Sequence, residues 1–239
     1  MFLLLPLSPL RPFKRTMSTV ELVTVTPKAE ELIVYMARVS NPTNQEINDK
    51  NERLINYLIK HRHWSPFEMV HLVLEINTTR SIAAQILRHR SFSFQEFSQR
   101  YADVKELGYP KPPHLRRQDL KNRQNSIDDL HPEKTQMFYR RINQLFEEST
   151  DLYREMVSSG VAKETARDVL PLATPTRMYM AGSIRSWIHY IDLRSQNGTQ
   201  LEHIEIALKA KEIFCKELPT VGKALGWLVD GSELPEGIR

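Results

Sequence analysis

The chain has one cysteine, Cys215, in 239 residues, which excludes an internal disulfide and every multi-cysteine zinc or iron–sulfur arrangement. It fits a reducing interior, and the cytoplasm is the expected compartment. Glycine is sparse too, at 8, and neither G-x-G-x-x-G nor G-x-x-x-x-G-K-[ST] occurs. A nucleotide cofactor would therefore be held by arginines and helix ends, without a Rossmann or P-loop turn. No apolar run reaches the ~20 residues of a membrane-crossing helix, so no membrane is expected as a partner. Charge of one sign is lacking as well: 33 basic against 29 acidic side chains leave a net +4, so any anion site must come from local clustering. That argues against a polycationic nucleic-acid binder. His61, His63, His71 and His89 lack the acidic and cysteine ligands that complete a metal site, and no metal is expected.

A hydrophobic content of 41% is enough to bury a core. Residues 1–16 join a short apolar block to Arg11, Lys14 and Arg15 without one acidic residue, and lack the charge order of a secretory signal. They are expected to be a disordered extension, a mitochondrial-type presequence being the alternative, with 17–239 forming a single domain. Val20 to Val25 reads as a strand, and 28–37 and 45–60 as helices. Val70, Leu72, Leu74 and Ile76 alternate with Met69, His71, Val73 and Glu75, the period-2 pattern of a half-buried strand. Helical spacing returns from Ser81 to about His89. Residues 104–134, with Pro110, Pro112, Pro113 and Pro132, form a long irregular segment, a length that usually serves function. Helices are expected near 133–159, 161–169, 184–195, 199–217 and 219–229, with a strand around 175–182. Cys215 falls on an amphipathic helix seven residues after Leu208, where the usual role is a small buried hydrophobe, and no neighbouring His or Asn activates it.

The stretch RHRSFSFQEFSQRY, from Arg88 to Tyr101, is poorly explained by folding alone. If the helix runs to residue 90, Gln85 and Arg88 share a face, while Arg88, His89 and Arg90 point about 100° apart and offer cations in three directions. The plain alternative is a solvated basic helix end that complements the dipole. A second cluster lies in 183–194. Arg185 and His189 share one face there, and Trp187, Ile191 and Arg194 another. An arginine on an apolar face needs a carboxylate, phosphate or carbonyl partner; an internal ion pair with Glu202 or Glu205 would satisfy it equally. A nucleic-acid-binding module using the basic and aromatic residues of 88–101 is the rival from another class.

Arg88-His89-Arg90 followed after seven residues by Ser98 resembles the signature of the flavin-dependent thymidylate synthases. The likeness extends to His63-Trp64-Ser65-Pro66-Phe67-Glu68, to Gln85, to Ser98-Gln99-Arg100-Tyr101, to 166–172, and to Ile184-Arg185-Ser186 through Arg194 and Gln200. It implies an α/β (α+β) fold, a mainly antiparallel central sheet flanked by helices, assembled as a homotetramer with sites shared between subunits. It also implies methylation of dUMP to dTMP, with 5,10-methylenetetrahydrofolate as carbon donor and NADPH as reductant through FAD. Carried over by position, Ser65, Arg88, His89, Arg90, Glu96, Ser183, Arg185 and His189 would surround FAD. Gln85, Arg88, Glu96, Phe97, Ser98, Gln99, Arg100, Arg167 and Arg194 would hold dUMP, Arg194 as the catalytic group. His63 and Tyr101 would border the folate or nicotinamide entrance. Ser98 reads as a ligand-holding hydroxyl and not a nucleophile. Many members carry asparagine where Ser183 and His189 stand, and histidine where Gly198 stands.

Overall fold

A computed structural model describes residues 18–45 and 51–228. The expected extension 1–16, the stretch 46–50 of the expected second helix, and position 229 lie outside these residues. In chain order the elements are β1 (Thr19–Val25), α1 (Ala29–Ala37), α2 (Asn51–Lys60), β2 (His71–Thr79), α3 (Arg80–Ile86) and β3 (Ser93–Glu96). After them come β4 (Arg117–Gln118), β5 (Ser126–Ile127), α4 (Pro132–Ser158), α5 (Lys163–Ala166), β6 (Pro175–Ser183), α6 (Ile184–Arg194), α7 (Leu201–Glu217) and α8 (Pro219–Ala224).

The main sheet has the order β1-β2-β6-β3, every pair antiparallel, which matches the expected architecture. Its centre is the β2–β6 pair, in register from His71 opposite Ser183 to Thr79 opposite Pro175. The period-2 pattern decides which face is covered. Leu72, Leu74, Ile76, Met178 and Met180 point inward at 0% exposure, whereas Val73, Glu75, Arg177 and Tyr179 take the opposite face. Helices α3, α6 and α7 complete this core with Ile82, Ile86, Ile184, Trp187, Ile191, Ile206 and Phe214. Gly182 is demanded by packing: a Cβ there would come within 2.5 Å of the Phe92 ring.

Four expectations need correction. Helix α3 stops at Ile86, so Arg88-His89-Arg90 forms a turn beyond it and the helical fan of cations does not exist. A fourth strand, Ser93–Glu96, follows this turn; it forms only by pairing with β6, a partner about ninety residues away that no local pattern announces. The segment 104–134 is not wholly irregular, since it contains a short helical turn at Val104–Glu106 and the β4–β5 hairpin. Helix α8 ends at Ala224, short of the expected 229.

A second, smaller core gathers Val104, Tyr153 and Ala166, with Tyr109, Met156, Val157, Val169 and Leu170 packed on it. It grips only the C-terminal part of α4. At 27 residues α4 is about 40 Å long, and it leaves Met137, Phe138, Leu145 and Leu152 exposed.

Candidate functional site

The expected site residues fall into three groups positioned by the sheet and its helices. The first lies where β6 becomes α6. Ser183 caps α6, its Oγ accepting from the Ser186 N–H at 3.2 Å and donating to Glu68 Oε2 at 2.5 Å. Arg185 Nη1 donates to Glu68 Oε1 at 3.1 Å. A cleft of about 330 Å³ opens beside them, lined also by His71, Ser91, Ser93 and Gly182. Hydroxyls, a guanidinium and one carboxylate acceptor suit a ligand carrying both phosphate and sugar hydroxyls, so this donor set fits a flavin dinucleotide. Ser65, His63 and His189 are exposed, and His63 stands edge-on to Tyr57 with ring centroids 5.8 Å apart.

The second group joins α3, α6 and α7. His89 turns inward from the post-helical turn and is buried, its ring 4.9 Å from Tyr190 and 6.4 Å from Phe92. Arg88 and Arg90 on either side of it are exposed, with no ion pair among the described residues. Arg194 is half-buried, and its Nε donates to His89 Nε2 at 2.9 Å. The ion pair weighed for Arg194 is absent: Glu202 is taken by Arg116, which forks onto both carboxylate oxygens at 2.7 and 3.0 Å, and no carboxylate among the described residues pairs with Arg194. Gln85 Nε2 bonds Gln200 Oε1 at 2.7 Å, and Gln85 Oε1 lies 3.4 Å from His203 Nδ1.

The third group sits at the opposite end of β6. Glu96 Oε1 accepts from Arg80 Nη1 at 3.0 Å and from Thr176 Oγ1 at 2.8 Å. Phe97 N donates to Arg177 O at 2.8 Å, and Ser98 O accepts from the N–H groups of Tyr101 and Ala102. Arg100 is paired with Glu164 at 3.0 Å, and Arg167 Nε reaches only the carbonyl of Glu164, at 3.1 Å. Gln99 is 5% exposed, yet its Nε2 has no partner. A pocket of about 250 Å³ is lined by Arg80, Gln99 and Arg167. Asp168 shares this lining and Arg80 is already paired with Glu96, so the donors of this wall not held by a carboxylate are the Arg167 guanidinium and the Gln99 amide N–H. Tyr101 stands out from this wall at 80% exposure.

Seven residues separate Thr176 from Ser183, so the first and third groups are roughly 23 Å apart along the strand. Sequence reasoning missed Glu68, Arg80, Arg116, Tyr190 and His203. Only Glu68 carried a signal, as the last residue of the Ser65-Pro66-Phe67-Glu68 element. The glycine at 198 has a local reason: its φ is +98°, and a side chain there would also meet Gln124 Oε1 at 3.4 Å.

Burial, then the charge of Arg194, pushes His89 down to about 4, and the same causes push His203 down to about 3. Both rings are neutral at neutral pH. An unfolded histidine gains its proton near 6.5, whereas these folded ones resist until about 4 and about 3. Stability is therefore complete above about pH 6.5 and falls as acid carries the protein toward the folded values. Thermal midpoints taken between about pH 7 and about pH 5, above the range of most carboxylates, are expected to drop steadily. A flat profile would contradict two buried neutral histidines. Burial also pushes the Cys215 thiol up to about 11, so it remains protonated and is no nucleophile. Among the described residues no His/Cys/Asp/Glu cluster could hold a metal ion, and no helix is long and apolar enough to cross a membrane.

Residues 21–220 match the family described as thymidylate synthase complementing protein. The chain is 55% identical over 201 residues to a probable flavin-dependent thymidylate synthase of Paramecium bursaria Chlorella virus 1, covering 84% of this chain and 92% of that protein. It is 54% identical over 198 residues to the flavin-dependent thymidylate synthase of a Synechocystis strain, covering 83% and 90%. Among solved structures, a UMP/dUMP methylase from Streptomyces cacaoi bound with 5-Br dUMP superposes with a TM-score of 0.78 at 26% identity, covering 90% of this chain and 96% of that one.

Proposed function

Because the chain belongs to the flavin-dependent thymidylate synthase family, we propose that it methylates dUMP to dTMP, taking the carbon from 5,10-methylenetetrahydrofolate and reducing equivalents from NADPH. The observation that carries this reading is Arg194, a half-buried guanidinium bonded to a neutral histidine and to no carboxylate among the described residues. Holding a cation in that state costs stability unless an electron-rich ligand uses it. Its Nη groups, in no hydrogen bond to the described residues, would meet the O2/N3 edge of uracil, where negative charge grows as C5 becomes nucleophilic. His89 fixes the guanidinium plane. Gln85 adds a donor beside it, while Ser98, Gln99, Arg100 and Arg167 supply hydroxyl, amide and guanidinium groups to the nucleotide's sugar and phosphate. With Cys215 protonated and buried, the chain offers no thiolate to add to C6, so activation of the base falls to electrostatics.

Ser183, Arg185, Ser65 and Glu68 would hold FAD at the start of α6, with Arg88, His89, Arg90, Glu96 and His189 completing its surroundings. FAD when bound supplies the redox chemistry between NADPH and the transferred carbon. His63 and Tyr101 border the entrance for the folate or nicotinamide. The roughly 23 Å between the first and third groups supports a site assembled from more than one chain, in a homotetramer. The exposed Phe138, Leu145 and Leu152, spaced seven apart along α4, supply an apolar stripe suited to such packing.

Purified chain reconstituted with FAD is expected to be yellow, to bind dUMP, and to release tritium from 5-labelled dUMP only when folate and NADPH are both present. A colourless protein that ignores dUMP and binds oligonucleotides with a steep salt dependence would overturn the reading in favour of a nucleic-acid module.

A further inference from the structure

A line of side chains crosses the molecule behind Gln85. Tyr190 Oη lies 3.1 Å from His203 Nε2, and His203 Nδ1 is 3.4 Å from Gln85 Oε1. Gln85 Nε2 is 2.7 Å from Gln200 Oε1, Gln200 Nε2 is 2.9 Å from Glu202 Oε2, and Arg116 forks onto Glu202. The members come from α3, α6, α7 and the 104–131 segment. His203 is 0% exposed.

The polarity of this line follows from its charged end. Burial raises the Glu202 carboxyl, but the Arg116 fork outweighs it and holds the group below the usual carboxylate range, so Glu202 is ionised and can only accept. Gln200 must therefore turn its N–H toward Glu202 and its carbonyl toward Gln85. Gln85 in turn must donate to Gln200, which leaves its carbonyl facing His203. That carbonyl needs a donor, so His203 carries its proton on Nδ1 and its Nε2 accepts from Tyr190. Burial pushes the Tyr190 phenol above its ordinary value, which keeps that donor in place. Every amide orientation and the histidine tautomer are thereby set without choosing any of them independently.

We propose that His203 is a positioning residue for the thymidylate synthase reaction: its Nδ1–H locks the Gln85 amide so that the remaining Gln85 N–H is presented to a hydrogen-bond acceptor of the nucleotide. The proposal rests on the reading that Gln85 contacts dUMP. One Gln85 amide proton is consumed by Gln200 and its carbonyl by His203, so the second proton alone is left for a ligand. Without the histidine the Gln85 amide keeps only its bond to Gln200, so it can swing about that single bond and carry its second N–H out of line with the acceptor. The same line ties Arg116, and with it the β4–β5 hairpin, to the substrate wall.

The test uses the full-length holoenzyme. In 15N-histidine-labelled protein, His203 is expected to show the Nδ1–H tautomer, identified by the signal lost in His203→Asn; the Nε2–H tautomer overturns the proposal whatever the variants do. In dUMP titrations, His203→Leu is expected to weaken binding by about ten- to a hundredfold, while His203→Asn, whose side-chain N–H can take the place of Nδ1–H, stays within about threefold of the parent. Equal losses in both, with flavin content and thermal midpoint retained, also overturn it. Titration with deoxyuridine places the acceptor: the same ratio between variants as for dUMP points to a pyrimidine carbonyl, and a ratio near one to the phosphate, either being the acceptor proposed. Gln85→Ala separates the premise from the inference. If it leaves dUMP affinity unchanged, Gln85 is no substrate contact; if it weakens binding and the His203 variants do not differ, only the relay fails.

Discussion

Arg194→Ala is expected to lower turnover of dUMP by about two to three orders of magnitude, the usual loss when one preorganised donor facing developing charge is removed, while flavin content stays near that of the parent. The asymmetry comes from position. The guanidinium lies at the last residue of α6, whereas Ser183 and Arg185, assigned to the flavin with Glu68, lie eleven and nine residues earlier; of the flavin-assigned residues it touches His89, through Nε. Arg194→Lys is expected to recover little, because an ammonium cannot bond His89 and the uracil edge with one planar fork. The charge of Arg194 is second only to burial among the causes that hold His89 down to about 4, so its loss also lets that ring titrate higher. Single-turnover rates measured beside bound-flavin absorbance decide the matter. If turnover and flavin binding fall together, Arg194 is a structural arginine.

Trp187→Ala should be the most damaging change to stability, by about 3–5 kcal/mol. Trp187 is 0% exposed, its indole N–H donates to Leu72 O at 2.9 Å, and its ring meets Phe92 at 5.0 Å and Tyr190 at 5.6 Å. It thus fastens α6 to β2 and backs the turn that carries His89. Against a total stability of about 5–15 kcal/mol, such a loss leaves little margin. Trp187→Phe retains much of the packing and gives up the hydrogen bond, for about 1 kcal/mol plus the volume lost. Urea midpoints at one fixed protein concentration are the measurement, since association also shifts apparent stability. A midpoint for the alanine variant within error of the parent would show that this face is not what holds α6 in place.

Much of the fold is legible in the sequence where the signal is local and repeated. The alternation from Val70 to Ile76 marks β2 and its buried face, and the helical spacing of Trp187 and Ile191 marks the inner face of α6. The end of α3 is not legible. Nothing like glycine or proline follows Ile86, and the helix stops because His89 is drawn inward against Tyr190 and Arg194 by partners about a hundred residues away. The strand Ser93–Glu96 is hidden for a similar reason, being four residues long and dependent on β6 for every ladder bond.

The candidate site divides in the same way. Residue types and spacing single out Gln85, the 88–100 block, Arg167, Arg185 and Arg194, since clustered arginines around hydroxyls and amides have no comparable use in a core. Partner choice is not written in spacing. Glu202 could have neutralised Arg194 from eight residues away, yet it is claimed by Arg116 from eighty-six residues away. Gln85 can be named from its motif, but the direction of its amide depends on a line of bonds that ends at that ion pair.

By itself the sequence determined the family resemblance, the sheet's central strand and its buried face, and the absence of a thiol chemistry, because composition and short-range periodicity are properties of the chain. Only the tertiary structure decided that Arg88 and Arg90 flank a turn with His89 facing the core, that Arg194 rests on a histidine with no carboxylate among the described residues, and that His203 stands behind Gln85. Each of these depends on which distant groups are brought within hydrogen-bonding distance, and a bond of about 3 Å is settled by the packing of several elements at once.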